Sequence, residues 1–294
     1  MNDAMNDAIA TDAPSLPASE LALLETRFPA RSVPVGNGAV VSVRERGTGP
    51  AVVCLHGIGS GAASWLNVAL LLSHRARVIA WDAPGYGAST PLVPAAPSAL
   101  DYAQRLHAML DALDVTSCVL VGHSLGALVA ASAARKDSAL ASRIHRLVLI
   151  SPAAGYGAPS RAQARAKVRA ERLATLDELG IAGMAARRSG RLVSDGASEL
   201  ARQWVRWNMA RLNDGGLRQA VELLCNADLM ADLPPAMPVR VACGSLDAVT
   251  TPEACAEVAR RCGVPLEPIA DAGHASYVEQ PQAVAALLRE VLAA

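Results

Sequence analysis

From about residue 32 onward, short apolar runs alternate with longer stretches of helical spacing, and this alternation constrains the fold more than any other feature of the chain. Residues 39–43, 51–55, 78–81, 118–121, 147–150, 239–243 and 266–269 have the length of strands. The inner runs are apolar at successive positions, as in parallel strands covered on both faces. Between them, 62–73, 99–113, 125–135, 252–261 and 281–292 carry helical spacing. Strand–helix alternation implies a parallel sheet with right-handed crossovers. The turn Gly36-Asn37-Gly38 adds an antiparallel hairpin at the start. The expected architecture is α/β: a mostly parallel eight-stranded sheet flanked by helices. One interval breaks the rhythm. Residues 153–236 contain no strand-like run, are rich in Arg and Ala, and end at Pro234, Pro235 and Pro238. They read as a helical cap inserted after the sixth strand. The expected organisation is a loose arm at 1–30, core at 31–152, cap at 153–236 and core again at 237–294.

Composition narrows the setting. The chain has 294 residues, 52% hydrophobic and 18% charged, with 27 basic and 27 acidic side chains. That hydrophobicity argues against disorder. The charge balance supplies no field for nucleic acid. No apolar run is long enough to span a bilayer. The first residues carry Asp and Asn where a signal peptide would carry Lys or Arg. Six cysteines form no CxxC pair, and three lie inside strand-like runs, where they read as small buried hydrophobes. Neither a disulfide framework nor a metal site is expected. A reduced, cytoplasmic setting follows, and the preference for Arg over Lys with abundant Ala suggests a bacterial genome rich in GC.

The chemistry centres on Gly122-His123-Ser124-Leu125-Gly126, between a strand and a helix. A serine flanked by glycines at such a junction is a nucleophile elbow: its backbone is strained and its hydroxyl projects above the sheet. Serine needs a base. His274 lies in a loop after the last strand, at the end of the sheet where α/β proteins place reactive groups. The base needs a carboxylate to fix its tautomer. Asp247 follows the strand 239–243, whereas the loop after the sixth strand offers none. An oxyanion needs two amide donors. Leu125, directly after the nucleophile, is one. Ile58, in the loop His56-Gly57-Ile58-Gly59-Ser60-Gly61, is the other. That loop lacks the Lys and Ser/Thr of a phosphate-binding loop. No cofactor is called for.

These pieces, with Asp82-Ala83-Pro84-Gly85-Tyr86-Gly87-Ala88-Ser89 and Glu279-Gln280-Pro281, span nearly the whole chain. Together they resemble the α/β-hydrolase superfamily, in its branch of small, soluble bacterial serine hydrolases. The order Ser124, Asp247, His274 is that superfamily's order. The resemblance implies a cap over the active site and a structural role for 82–89. It points to carboxylesterases and enol-lactonase-like enzymes, related to meta-cleavage product hydrolases. Typical members of the last group carry Asn before the nucleophile and Trp after the catalytic His, where this chain has His123 and Ala275.

The expected activity is hydrolysis of a small carboxylic ester or lactone through an acyl-enzyme, with a small molecule as partner and a monomer or homodimer as assembly. The alternatives are C–C bond hydrolysis of meta-cleavage products, a cofactor-free haloperoxidase or lyase reaction with the same triad, and a non-catalytic binding protein. His123, Trp204, Trp207, Arg161 and Arg165 are the candidate substrate contacts. Arg161, Arg165, Arg169 and Arg172 fall on one helical face, with Arg187, Arg188 and Arg191 beyond. They read either as a solvated face or as a source of one or two inward cations for a substrate carboxylate. Trp204 and Trp207 read either as cap packing or as pocket wall.

Overall fold

Strand β3 (Ala51–Leu55) and strand β5 (Cys118–His123) are buried at every residue, which is why their sequences show no polar alternation. In the computed structural model, which describes residues 14–293, they lie at the centre of one eight-stranded sheet. In chain order the elements before the helical insertion are α1 (Ala18–Arg27), β1 (Ala30–Pro34), β2 (Val40–Arg46), β3, α2 (Leu66–Leu72), β4 (Arg77–Trp81), α3 (Ala99–Ala112), β5, α4 (Leu125–Ala133) and β6 (Ile144–Ile150). The insertion carries α5 (Ala162–Arg188), α6 (Glu199–Ala210), α7 (Asp214–Asn226) and α8 (Leu229–Asp232). The chain then returns through β7 (Val239–Gly244), α9 (Pro252–Cys262), β8 (Leu266–Ile269), α10 (Ser276–Glu279) and α11 (Pro281–Ala293).

The sheet order is β1-β2-β4-β3-β5-β6-β7-β8, antiparallel at β1–β2 and β2–β4 and parallel thereafter. The pleat divides the core in two. Val53, Leu55 and Leu120 face one side, with α3 and α4 residues such as Leu106 and Leu128. Val52, Cys54, Val119 and Val121 face the other, with Leu66 and Leu72 of α2 and Val284 and Leu288 of α11. Helices therefore cover both faces, as the apolar runs require. The β1–β2 turn closes with the Ala39 amide donating to Gly36 O (2.9 Å).

The expected loose arm needs correction. Residues 1–13 lie outside the described residues, but 18–27 form α1, which buries Leu24 and is followed by buried Phe28. Arg44 of β2 donates to Phe28 O (2.6 Å) and pairs with Glu25 (2.9 Å). Leu21, Leu24 and Phe28 have the i, i+3, i+7 spacing of one helical face, but ten residues are a short window for that signal to stand out in. The helix expected over 62–73 opens instead with a 3-10 turn at Ala62–Trp65.

Between β6 and β7 the regular elements of the described residues are helices, apart from an isolated Gly155–Asp228 bridge. Gly180, at φ 61° and ψ −175°, breaks α5 into two helical arms. Among the described residues no helix is long and apolar enough to cross a membrane.

Candidate active site

Ser124 sits between β5 and α4 at φ 51° and ψ −114°, a conformation that costs energy for a residue with a side chain. Its neighbours hold it there. The Ser124 amide donates to Ile150 O (3.1 Å), and Ser124 O accepts from Ala127 (3.0 Å) and Ala153 (3.2 Å). Close approach dictates the flanking glycines. A Cβ at Gly126 would stand 2.4 Å from Leu55 O, and one at Gly122 would stand 2.7 Å from the Ala127 Cα. The Gly-x-Ser-x-Gly spacing is thus a packing requirement of β3, β5 and α4.

The loops after β7 and β8 bring Asp247 and His274 together. His274 Nδ1 donates to Asp247 Oδ2 at 2.9 Å, and both side chains are almost fully buried. The other carboxylate oxygen, Oδ1, accepts from the amides of Val249 (2.8 Å) and Thr250 (3.0 Å). The Thr250 hydroxyl donates to Oδ2 (2.9 Å). Burial alone would raise the Asp247 pKa. The hydrogen bond and charge of His274, with the two amides, outweigh it and bring the value down to about 2. Asp247 is therefore ionised at neutral pH, and its position fixes the imidazole with Nε2 as the ring nitrogen left for chemistry. Thr251, not Asp247, caps α9, accepting from the Ala254 amide (3.4 Å).

Several contacts of this pair were not foreseen from the sequence. Thr250 Oγ1 also lies 3.2 Å from His274 Nδ1. Glu279 accepts from the Gly273 amide (2.8 Å) through one oxygen and from Ser194 through the other (2.7 and 2.9 Å), tying the His274 loop to the insertion. The Ala275 amide donates to Leu192 O (2.7 Å) across the same seam. Apart from Glu279, which stands in the Glu279-Gln280-Pro281 motif, no local spacing distinguishes such residues from ordinary loop residues. Their partners are distant in sequence.

Loop 56–61 is pinned from below. His56 Nε2 accepts from the Ala83 amide (2.9 Å), and its Nδ1 donates to Gly57 O (2.8 Å). Burial lowers its pKa and keeps it neutral, as that pattern requires. The Tyr86 hydroxyl donates to Ile58 O (2.9 Å), while Asp82 accepts from the Ala62 amide (2.8 Å) and from Ser42 Oγ (2.7 Å). Segment 82–89 is thus a brace for this loop. His123 donates through Nε2 to His274 O (2.8 Å), and burial, then the neighbouring His274, pushes its pKa down to about 3. It holds a loop and stays neutral.

Ser124, His274, Ile58 and Leu125 line one cavity of about 380 Å³, a size suited to a small organic ligand. Of the other expected contacts, His123 and Arg161 also line it. Trp204 and Trp207 do not. They pack edge to face (centroids 5.6 Å) in the hydrophobic cluster with Leu66 and Trp65, and Trp204 Nε1 donates to Glu20 of α1 (3.0 Å). The rotation of α6 turns Val205 and Met209 to the cavity instead. Arg165 is also outside the cavity wall. Arg161 sits in a 3-10 turn ahead of α5, so spacing of four does not put the two on one face. Arg172, Arg188 and Arg191, read from the sequence either as a solvated face or as inward cations, line the cavity.

Comparison with known proteins agrees with this fold. The alpha/beta hydrolase family profile matches residues 52–287. The 2-(acetamidomethylene)succinate hydrolase of Mesorhizobium japonicum is 37% identical over 109 residues, 37% of this chain and 38% of that protein. The chain spans only 30% to 47% of the length of such curated relatives. The enol-lactonase from Burkholderia xenovorans LB400 superposes with a TM-score of 0.78 at 23% identity, covering 90% of this chain and 100% of that one. A thermophilic esterase from Thermogutta terrifontis gives 0.77 at 24% identity, covering 90% and 97%. Both superpositions speak to fold alone. The family profile reaches from β3 through the elbow and the insertion to α11, and by that extent the chain belongs to the alpha/beta hydrolase family.

Proposed function

We propose that this protein is a serine hydrolase that cleaves a small carboxylic ester or lactone by two-step acyl transfer, with Ser124, His274 and Asp247 as its triad. The observation that carries this reading is the 2.9 Å contact between Asp247 and His274 Nδ1, with His274 and the strained Ser124 on the same cavity. His274 Nε2 takes the Ser124 proton as Oγ attacks the carbonyl carbon. The Leu125 and Ile58 amides receive the negative oxygen. Leu125 heads α4, so its amide has no partner within the helix. His274 then returns the proton to the leaving alcohol, and water enters by the same route to release the acid. Asp247 stays ionised and stabilises the imidazolium.

His56, Tyr86 and Asp82 position the Ile58 loop, and His123 and Glu279 position the His274 loop. Residues 153–236 act as the cap, closing the cavity from above. No metal or organic cofactor is required for these steps. All six cysteines are free, which suits a reducing, cytoplasmic location, and the enzyme works as a monomer or homodimer. The test is Ser124→Ala assayed with 4-nitrophenyl butyrate and a simple lactone. Turnover should fall by at least a thousandfold with an unchanged circular dichroism spectrum, and near-normal turnover would sink the assignment.

A further inference from the structure

We propose that the cavity takes an ester or lactone bearing a free carboxylate, held by Arg172 and Arg188, with Arg161 and Arg191 at its rim. This rests on the acyl-transfer reading and names its substrate class.

Among the described residues, four arginines line the cavity and no Asp or Glu does; Asp247 stands behind His274. Among the described residues, Arg172, Arg188 and Arg191 form no ion pair. The Arg161 side chain reaches only Gly155 O (2.5 Å) and the face of Tyr156 (4.4 Å to the centroid). Two arginines elsewhere on the insertion do pair with acids: Arg169 with Glu222 (2.6 Å), and Arg218 with Asp214 (2.7 Å) and Asp177 (2.5 Å). Those acids lie away from the cavity, so its wall is left cationic.

Arg172 and Arg188 are half-buried. Burial, then the charge of Arg188, lowers the Arg172 pKa; burial, then Arg191 and Arg187, lowers that of Arg188. Arginine remains charged through such shifts. Cations gathered and partly desolvated without a counter-ion repel one another, and a bound anion relieves both costs. A guanidinium fork matches a carboxylate in two parallel hydrogen bonds. The remaining wall is largely apolar, including Met184, Leu217 and Leu224, so a short carbon chain fits between the acid and the reacting carbonyl. Helical spacing could not reveal this. Which arginines turn inward depends on the break at Gly180 and on how α5 docks on α7.

The test compares mono-4-nitrophenyl glutarate with 4-nitrophenyl pentanoate, which share a leaving group and differ in the terminal carboxylate. The expected kcat/KM preference for the acid is about tenfold to a hundredfold, the value of one or two charge-assisted hydrogen bonds. It should shrink at 0.5 M salt, where the Debye length is only about 4 Å. Arg172→Gln and, separately, Arg188→Gln should cut the preference to within about threefold, chiefly through KM. Equal turnover of both esters by the wild type would overturn the inference and leave the acyl-transfer reading standing. A second measurement needs no turnover: glutarate should raise the Tm of Ser124→Ala, and an unchanged Tm, or a larger rise with inorganic phosphate, refutes the carboxylate assignment. A wild type that hydrolyses neither ester while Ser124→Ala still binds glutarate would retain the anion site and remove the hydrolase reading.

Discussion

Replacing Asp247 with Asn removes one charge and almost no volume, and the surrounding hydrogen bonds dictate the consequence. Asp247 accepts at both oxygens: two backbone amides at Oδ1, the Thr250 hydroxyl and His274 Nδ1 at Oδ2. An Asn must keep its carbonyl toward the two fixed amides and turn its NH2 toward His274. Two donors then face each other unless the imidazole moves its proton to Nε2. That tautomer cannot accept the Ser124 proton, so kcat should fall by about a thousandfold or more with KM little changed. Stability carries a second signature. The folded pKa is lowered from 3.8 to about 2, so the carboxylate contributes about 2 kcal/mol above pH 4. A depressed carboxylate pKa means that this contribution is lost as pH falls through about 2. Urea unfolding should show the wild type more stable than Asp247→Asn at pH 5, with the gap narrowing toward pH 2. Steady-state hydrolysis of 4-nitrophenyl butyrate gives the first number. A variant within tenfold of wild-type kcat, or a stability gap that ignores pH, would refute the assigned role of this carboxylate.

Two further substitutions probe the supports. Gly126→Ala places a methyl 2.4 Å from Leu55 O, so it should destabilise by about 1–3 kcal/mol and displace the Leu125 amide. Thermal melts and kcat should fall together, and a neutral result would mean that the elbow does not need this close approach. Tyr86→Phe leaves Ile58 O without its 2.9 Å donor. The expected cost is about 1 kcal/mol in stability, with a loss of up to about tenfold in kcat at constant KM. A change confined to KM would place Tyr86 in substrate binding instead.

Much of the fold was legible because it is encoded locally. Seven apolar runs marked strands to within a few residues, and the turn Gly36-Asn37-Gly38 fixed the one hairpin. The elbow was legible for the same reason: glycines around Ser124 answer to backbone contacts made between a strand and the helix that follows it. Asp247 and His274 could be chosen because each follows a strand at the same end of the sheet. Helix α1 was missed because its apolar face, Leu21, Leu24 and Phe28, spans barely two turns beside a stretch rich in Ala, Asp, Pro and Ser. Thr250 was missed, and Tyr86 and Glu279 were quoted as motif residues without their contacts, because the partners come from other parts of the chain.

By itself, then, the sequence determined the layering of the sheet, the strained serine and the set of groups that could serve it. Period, turn chemistry and steric need at the backbone are properties of neighbouring residues. The tertiary structure alone decided what the cavity wall is made of. It turned Trp204 and Trp207 onto the core, with Trp204 bonded to Glu20, left Arg165 outside the cavity wall, and brought Arg172 and Arg188 into the wall of the cavity that holds Ser124. A helix offers every side of itself to its surroundings. Which side becomes the wall depends on the docking of α5, α6 and α7 against one another and on the break at Gly180, and no spacing within one helix records that.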